Sequence, residues 1–182
     1  MTSILWERLD TAGLDRATLA PDANGFRIAG TALFTHEGNS FDIRYSVLVD
    51  PDWNTRVVAA HLQGPDGERR LSLRVDESGR WTMGDEALED AEGVNDVDFA
   101  FTPATNSLPL RRLKLAVGDE AELKVARIAF PERDIDVATQ RYERLSDYTY
   151  RYIAADFEAD LTVNDEGLVT NYPGKWRAIT AP

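Results

Sequence analysis

The chain has 182 residues, which suits one compact domain, and it contains no cysteine, which excludes disulfide scaffolds, cysteine-ligated metal sites and thiol catalysis. Its 32 acidic and 20 basic residues give a formal net charge of −12, which argues against a nucleic-acid partner. The chain has only two histidines, which argues against a histidine-rich metal centre. It has no long apolar stretch, so we expect no stable membrane insertion. With no signal-peptide pattern at the start, we expect a cytoplasmic protein with a single domain over residues 1–182 and no cofactor.

Alternation of apolar and polar residues is the strongest pattern along the chain. It is clearest from Phe41 to Val49, and it recurs at residues 97–101 and 157–163. Such alternation is typical of strands with one buried face, and turn-forming residues such as Gly64-Pro65-Asp66-Gly67 separate the runs as hairpin loops would. We therefore predict thirteen strands with antiparallel neighbours, at residues 4–9, 25–36, 40–50, 55–63, 69–76, 79–83, 95–101, 120–130, 135–145, 148–154, 156–163, 167–172 and 175–180.

One segment favours a helix. Leu110, Leu113 and Val117 have helical spacing, Asn106 can cap the start, and Gly118 can end the helix. The prediction is one or two turns.

The number of strands predicts the architecture. Thirteen strands are too many for one strongly twisted open sheet, which would curl or close on itself. The predicted fold class is mostly β: a single-domain, strongly curved antiparallel sheet or partial β-barrel with one short helix. Such a body either fills its concave side with side chains or keeps a cavity for a ligand. The periodicity leaves both alternatives open.

The segment from residue 96 to residue 113 combines several groups that bind polar ligands. Asp98 is on a predicted strand, Asn106 follows in a proline-containing loop, and Arg111 and Arg112 come next. Acceptors and bidentate donors of this kind suit sugars or anionic headgroups. Alternatively, Asp96 or Asp98 pairs with one of the arginines and only fixes the loop.

The other candidate ligand-binding residues are aromatic. Tyrosines at alternate positions of a strand share a face and could form the wall of an amphiphile pocket, and two further rings flank a Pro-Gly turn. Cross-strand packing, or a plug at one end of a barrel, explains the same rings without a ligand. The aromatic candidates are Tyr142, Tyr150, Tyr152, Tyr172 and Trp176.

These segments resemble a bacterial family called putative glycolipid-binding, formerly a domain of unknown function. The similarity is carried by the core TPATNSLPLRRL within residues 96–113, by QRYERLSDYTYRY at 140–152 and by GLVTNYPGKW at 167–176. The resemblance implies a curved, mostly antiparallel β domain similar to carriers of lipoprotein acyl chains or glycolipids in bacterial envelopes. It brings no established catalytic residues. Because those carriers are exported and this chain shows no export signal, a cytosolic glycolipid intermediate is the more consistent ligand.

Three functions are therefore consistent with the sequence. The first is binding of a glycolipid or similar amphiphile in the concave side of the sheet, and the second is a carboxylate-dependent enzyme acting on a glycolipid or carbohydrate through Asp96 and Asp98, two positions apart on one strand. The third is an interaction module whose concave side is filled. Strand edges could also pair two chains, so both a monomer and a homodimer are consistent with the sequence.

Overall fold

The computed structural model describes residues 1–130 and 135–180. These residues contain fifteen strands, one α-helix and two short 3₁₀ turns. The strands are β1 (Thr2–Arg8), β2 (Gly13–Asp22), β3 (Gly25–His36), β4 (Asn39–Val49), β5 (Thr55–Gly64), β6 (Gly67–Val75), β7 (Trp81–Met83), β8 (Glu86–Ala87), β9 (Asp96–Phe99), β10 (Glu120–Ile128), β11 (Ile135–Arg144), β12 (Thr149–Ala154), β13 (Phe157–Val163), β14 (Val169–Tyr172) and β15 (Trp176–Thr180). The helix α1 is Ser107–Leu113, and the 3₁₀ turns are Glu89–Ala91 and Ala104–Asn106.

All the described strands belong to one sheet with the order β8-β7-β6-β5-β4-β3-β2-β1-β15-β14-β13-β12-β11-β10-β9. Neighbouring strands are antiparallel, except that β9 runs parallel to β10. The sheet curves but does not close, and its two edges are β8 and β9. The predicted class, a mostly β protein with a strongly curved sheet and one short helix, is confirmed.

Alternate burial explains why the strands form. On β4, Phe41, Ile43, Tyr45, Val47 and Val49 are all buried, whereas the residues between them are partly or fully exposed. The sheet therefore has one apolar face, as the sequence alternation predicted.

Two strands were not predicted. β2 has Asp15 at a position that faces the core together with Ala17 and Leu19, so the polar residue breaks the apolar alternation. β8 has only two residues, Glu86 and Ala87, and lies in an acidic segment that resembles a loop. The sheet thus extends further than the thirteen predicted strands.

The helix has seven residues, about two turns as predicted, but it ends before Val117. It ends at Leu113, because Lys114 adopts a left-handed conformation with φ 49°. Val117, which the pattern placed on the apolar face, is 55% exposed.

Residues 96–113, here called the inner segment, run through the concave side of the sheet. Every residue from Phe101 to Leu110 is buried. The inner segment contacts β4 through the ring of Tyr45, which packs 5.7 Å from Phe99 and 5.5 Å from Phe101. On the other side, Asn106 contacts β11 through a hydrogen bond to the Tyr142 hydroxyl. The concave side is therefore largely filled by the protein's own chain.

The prediction of one domain over residues 1–182 includes residues 131–134 and 181–182, which lie outside the described residues, and it stays a prediction. Within the described ranges, none of the helices has the length and apolar composition to span a bilayer.

Candidate functional site

A cavity of about 640 Å³ remains between the inner segment and the strands β11 to β15. We call it the main cavity. The inner segment supplies Asp98, Thr102 and Asn106, and β11 supplies Gln140. The other residues that line it and are discussed below are Arg8, Asp10, Arg127, Asp136, Val137, Ala138, Tyr152, Ala154, Phe157, Tyr172, Lys175 and Trp176.

Aromatic rings form a continuous wall of the main cavity. The ring of Tyr172 lies 6.0 Å from that of Tyr152, 5.9 Å from that of Phe157 and 5.3 Å from that of Trp176. Strand pairing sets this arrangement, because Tyr172 and Trp176 are register partners on β14 and β15. Burial raises the pKa of both tyrosines, so their hydroxyls stay neutral.

Asp98 is the polar group that faces this wall. One carboxylate oxygen accepts a 2.8 Å hydrogen bond from the Gln140 amide, and the other accepts a 3.2 Å bond from the Thr105 hydroxyl. Burial raises the pKa of Asp98, and these hydrogen bonds oppose the rise. Among the described residues, no cationic nitrogen lies within ion-pair distance of Asp98.

Arg127, whose positive charge lowers the pKa of Asp98, is paired with another acid. Arg127 is the register partner of both Asp98 and Asp136, which lie on the strands to either side of it. Its guanidinium binds Asp136 with two nitrogens, at 2.9 and 2.5 Å. These hydrogen bonds lower the pKa of Asp136, so the pair stays charged and Asp98 lacks a dedicated counter-ion.

The opposite rim contains a second ion-pair network. Asp10 pairs with Arg8 at 2.9 Å and with Lys175 at 3.3 Å. The Arg8 guanidinium also lies 5.3 Å from the ring centroid of Trp176. The Trp176 side chain is buried, and its indole N–H has no hydrogen-bond partner in the described part of the chain. A buried donor without an acceptor costs about 1–3 kcal/mol.

A hydrogen bond to Tyr142 fixes the side chain of Asn106. Its amide donates a 2.8 Å hydrogen bond to the hydroxyl of Tyr142, which is fully buried. Tyr142 therefore positions Asn106 and does not itself line the main cavity.

A buried carboxylate lies next to the floor of the main cavity. Asp15 accepts hydrogen bonds from Thr102, which lines the cavity, and from the Tyr45 hydroxyl at 3.0 Å. Burial raises the pKa of Asp15 to about 7. The three side chains join β2, β4 and the inner segment.

The remaining candidates from the sequence lie elsewhere. Arg111 and Tyr150 line a separate cavity of about 480 Å³, where Arg111 packs 4.6 Å from the ring centroid of Trp53. Arg112 forms an ion pair at 2.5 Å with Asp96, whose side chain is inaccessible to solvent. That pair matches the purely structural alternative, in which an aspartate and an arginine fix the loop.

The structure thus brings five of the nine candidates to one cavity: Asp98, Asn106, Tyr152, Tyr172 and Trp176. Sequence reasoning missed Gln140, Phe157, Arg8 and Lys175. Gln140 is the first residue of the tyrosine-rich segment at 140–152 and Phe157 follows that segment closely, so their position in the sequence could have indicated them. Arg8 is distant in sequence and reaches the cavity because β1 pairs with β15. Within the described ranges, no three His, Asp or Glu side chains are grouped as metal ligands.

This chain is similar to known proteins over nearly its whole length. A family model described as "Putative glycolipid-binding" matches residues 3–178. The crystal structure of a DUF1089 family protein from Pseudomonas aeruginosa is similar to this chain, with 32% sequence identity and a TM-score of 0.81. The match covers 90% of this chain and 91% of that chain. The comparison with curated proteins found no match.

Proposed function

Since this chain belongs to the putative glycolipid-binding family, we propose that it binds the headgroup of a glycolipid or similar amphiphile in the main cavity. The observation that carries the proposal is the shape and lining of that cavity. Its volume of about 640 Å³ lies within the range of about 300–1,000 Å³ that is usual for small-molecule sites. Such sites combine an apolar wall with a few fixed polar groups, and here these are the tyrosine and tryptophan rings and Asp98, Asn106 and Gln140.

The filled concave side determines how an amphiphile would be placed. The inner segment occupies much of the concave side, where the sequence analysis placed the whole amphiphile, so we assign only the headgroup to the main cavity. The acyl chain then leaves across the apolar rim, where Val137, Ala138 and Ala154 line the opening beside the 37% exposed Phe157. Each buried CH₂ group adds about 0.8 kcal/mol, so partial burial along this rim still contributes to affinity.

A titration with a short-chain glycolipid tests the proposal. Octyl glucoside, kept below its micelle concentration, would be added to the protein and binding followed by calorimetry. We expect Tyr172→Ala to weaken binding about tenfold, because loss of an aromatic contact costs about 1.5 kcal/mol. Tyr148→Ala is the matched control, because Tyr148 is 50% exposed and lines the other cavity.

The outcome is decisive in both directions. Saturable binding that Tyr172→Ala weakens and Tyr148→Ala does not would support the proposal. No binding by the wild-type protein, together with a lipid-free organic extract of the natively purified protein by mass spectrometry, would refute it.

The carboxylate-dependent enzyme has less support as a function. It required Asp96 and Asp98 to face one cleft, but Asp96 is buried in its ion pair with Arg112, away from the main cavity. The cytoplasmic location, the cytosolic glycolipid intermediate and the homodimer stay predictions. Subcellular fractionation, lipid extraction and light scattering, respectively, would test them.

A further inference from the structure

We propose that the outer side of the strands β2 to β6, opposite their apolar face, binds the surface of an anionic lipid membrane. Five exposed arginines carry the proposal, and we call the surface that they form the arginine face: Arg16, Arg27, Arg44, Arg70 and Arg74. None of the five lines the main cavity, so this inference goes beyond the proposed function and does not rest on it.

Strand pairing arranges the arginines in two rows. The first row crosses β2 to β6 in register and consists of Arg16, Thr31, Arg44, His61 and Arg70. The second row lies four positions along the strands and consists of Ala20, Arg27, Leu48, Val57 and Arg74. Strands lie about 4.8 Å apart and residues follow one another by about 3.4 Å, so the two rows bound an area of about 19 by 14 Å. The five charges are therefore spread over a surface and do not form a single line.

The arginine face is a local excess of positive charge on an acidic protein. The row between the two arginine rows has no charged residue and consists of Thr18, Ala29, Ser46, Ala59 and Ser72. Of the five arginines, only Arg70 has an ion pair within the described ranges, and its partner is Glu68. Because the whole chain has a net charge of −12, this face attracts an anionic surface that most of the molecule repels.

The nearest acids on this side form a rim outside the rows. Each is two positions along the chain from a member of a row, and they are Asp22, Asp42, Asp50, Glu68 and Asp76. Asp50 is bound by Arg56 at 2.7 Å, and Asp76 accepts a 2.6 Å hydrogen bond from the Ser78 hydroxyl. An arginine side chain also reaches further from the sheet than an aspartate, so the arginines meet an approaching surface first. The rim therefore weakens the attraction without cancelling it.

Apolar side chains among the arginines favour a lipid surface over a nucleic acid. Leu48 and Val57 separate the two arginines of the second row. Two positions from the first row, the register partners Leu14 and Leu33 are 45% and 49% exposed. At a headgroup boundary, arginine places its charge on phosphates and its stem on apolar groups, and leucine contacts the acyl region. Single-stranded nucleic acids are instead held by stacking on aromatic rings, and the three rows contain no Phe, Tyr or Trp.

Cosedimentation with lipid vesicles tests the proposal. The full chain would be mixed with vesicles of phosphatidylcholine alone, or with about 30% phosphatidylglycerol added, at low salt and at about 0.5 M salt. We expect the anionic vesicles to bind the protein about tenfold more tightly than the neutral ones, and high salt to remove this difference because it screens exposed charges. Equal binding to both kinds of vesicle, or binding to neither, would overturn the proposal. The octyl glucoside titration uses no membrane, so its outcome is independent of this one.

Variants that remove charge locate the binding surface. Arg16→Gln combined with Arg44→Gln should weaken binding to anionic vesicles about 25-fold, which is about fivefold for each arginine close to an anionic surface. The matched control is Arg141→Gln combined with Arg177→Gln. These arginines are exposed on β11 and β15, and each pairs with a glutamate, so the same change in net charge should have little effect. Equal losses in the two double variants would show that net charge, and not the arginine face, controls binding.

A fluorescent label shows which surface the membrane covers without removing any charge. Because the chain has no cysteine, Ser46→Cys places a single label between the two arginine rows, and Thr162→Cys places one on β13 in the other half of the sheet. We expect lipids that carry a nitroxide to quench the label at residue 46 and to spare the label at residue 162. Stronger quenching at residue 162 would overturn the assignment to the arginine face.

Two other occupants of the arginine face are separate outcomes of these experiments. A single-stranded oligonucleotide that binds more tightly than the anionic vesicles at the same salt concentration would assign the face to nucleic acid. A dimer that is seen by light scattering without lipid, and that Arg16→Gln combined with Arg44→Gln dissociates, would assign it to a second copy of this chain. Either result would overturn the membrane proposal. Urea unfolding midpoints establish that each variant is folded, and the comparison of the two kinds of vesicle needs no variant.

Discussion

Replacing Asp15 by asparagine should remove a pH dependence of stability that the buried cluster creates. Asp15 is 1% exposed and is surrounded by the hydroxyls of Thr102 and Tyr45. Arg8 lies close enough to favour the charged form, but the loss of hydration outweighs it. The carboxyl therefore has a pKa of about 7 in the folded protein, against 3.8 for an ordinary aspartate.

The sign of the effect follows from proton binding. Between pH 4 and pH 7 the folded protein holds a proton on Asp15 that the unfolded chain has released, so raising the pH destabilises the folded state. The contribution is fully present below the unfolded pKa and is lost as the pH rises through about 7. The two pH units between pH 5 and that value, at about 1.4 kcal/mol each, give a loss of about 3 kcal/mol from pH 5 to pH 8.

Urea unfolding followed by tryptophan fluorescence measures this loss. The unfolding free energies of the wild type and of Asp15→Asn would be determined at pH 5, 6, 7 and 8, and their difference plotted against pH. Taking the difference cancels the groups that titrate in both proteins. We expect the wild type to lose about 3 kcal/mol relative to the variant over this range. A difference that stays constant from pH 5 to pH 8 would refute the reasoning.

Three further substitutions test the packing that positions the site. Leu108→Ala in the fully buried part of the inner segment should lower the free energy of unfolding by about 2–5 kcal/mol, whereas the same change at the 45% exposed Leu14 should have little effect; equal losses would contradict the burial of the segment. Arg112→Gln should cost about 3–5 kcal/mol in urea unfolding, because Asp96 would remain buried without its counter-charge, and a neutral result would mean that the pair does not hold the segment. Gly30→Ala should lower the melting temperature by several degrees, since the new Cβ would lie 2.5 Å from a backbone carbonyl oxygen of β2, and an unchanged melting temperature would argue against that close approach.

The sequence predicted those strands in which the buried positions hold apolar residues and the exposed positions hold polar ones. β4 is such a case, because Phe41, Ile43 and Tyr45 are both apolar and buried. β2 was missed for the opposite reason. One of its buried positions is occupied by Asp15, which is hydrogen-bonded to Tyr45 on β4 and to Thr102. Because these partners are distant in sequence, no local pattern reveals that Asp15 is buried.

The inner segment shows a second limit of sequence reasoning. Its prolines and its small polar residues are typical of an exposed loop, yet they are buried, and several of their polar atoms have hydrogen-bond partners inside the protein. The Thr105 hydroxyl accepts a hydrogen bond from the backbone N–H of Phe99, and the Thr102 hydroxyl accepts one from that of Ala104. Such bonds make burial of hydroxyls inexpensive, and the residue types alone do not reveal them.

Part of the candidate site could be predicted from the chemistry of the side chains alone. Asp98, Asn106 and the aromatic residues Tyr152, Tyr172 and Trp176 were chosen for their side chains, and they do line one cavity. Their convergence depends on strand order. The rings come together because β12, β13, β14 and β15 are successive neighbours in the sheet, and Asp98 faces them from the inner segment at the far edge.

The position of β1 beside β15 has a consequence for how the chain folds. The strands β1 to β8 and β10 to β15 each form a meander in which neighbours in sequence are neighbours in space. Hairpin contacts of this kind close short loops and form quickly, whereas the β1–β15 pairing joins residues about 170 positions apart, such as Glu7 and Arg177. We expect the two meanders to form first as separate kinetic units and to dock through β1 and β15 late, so Arg8 and Trp176 would meet only in that final step.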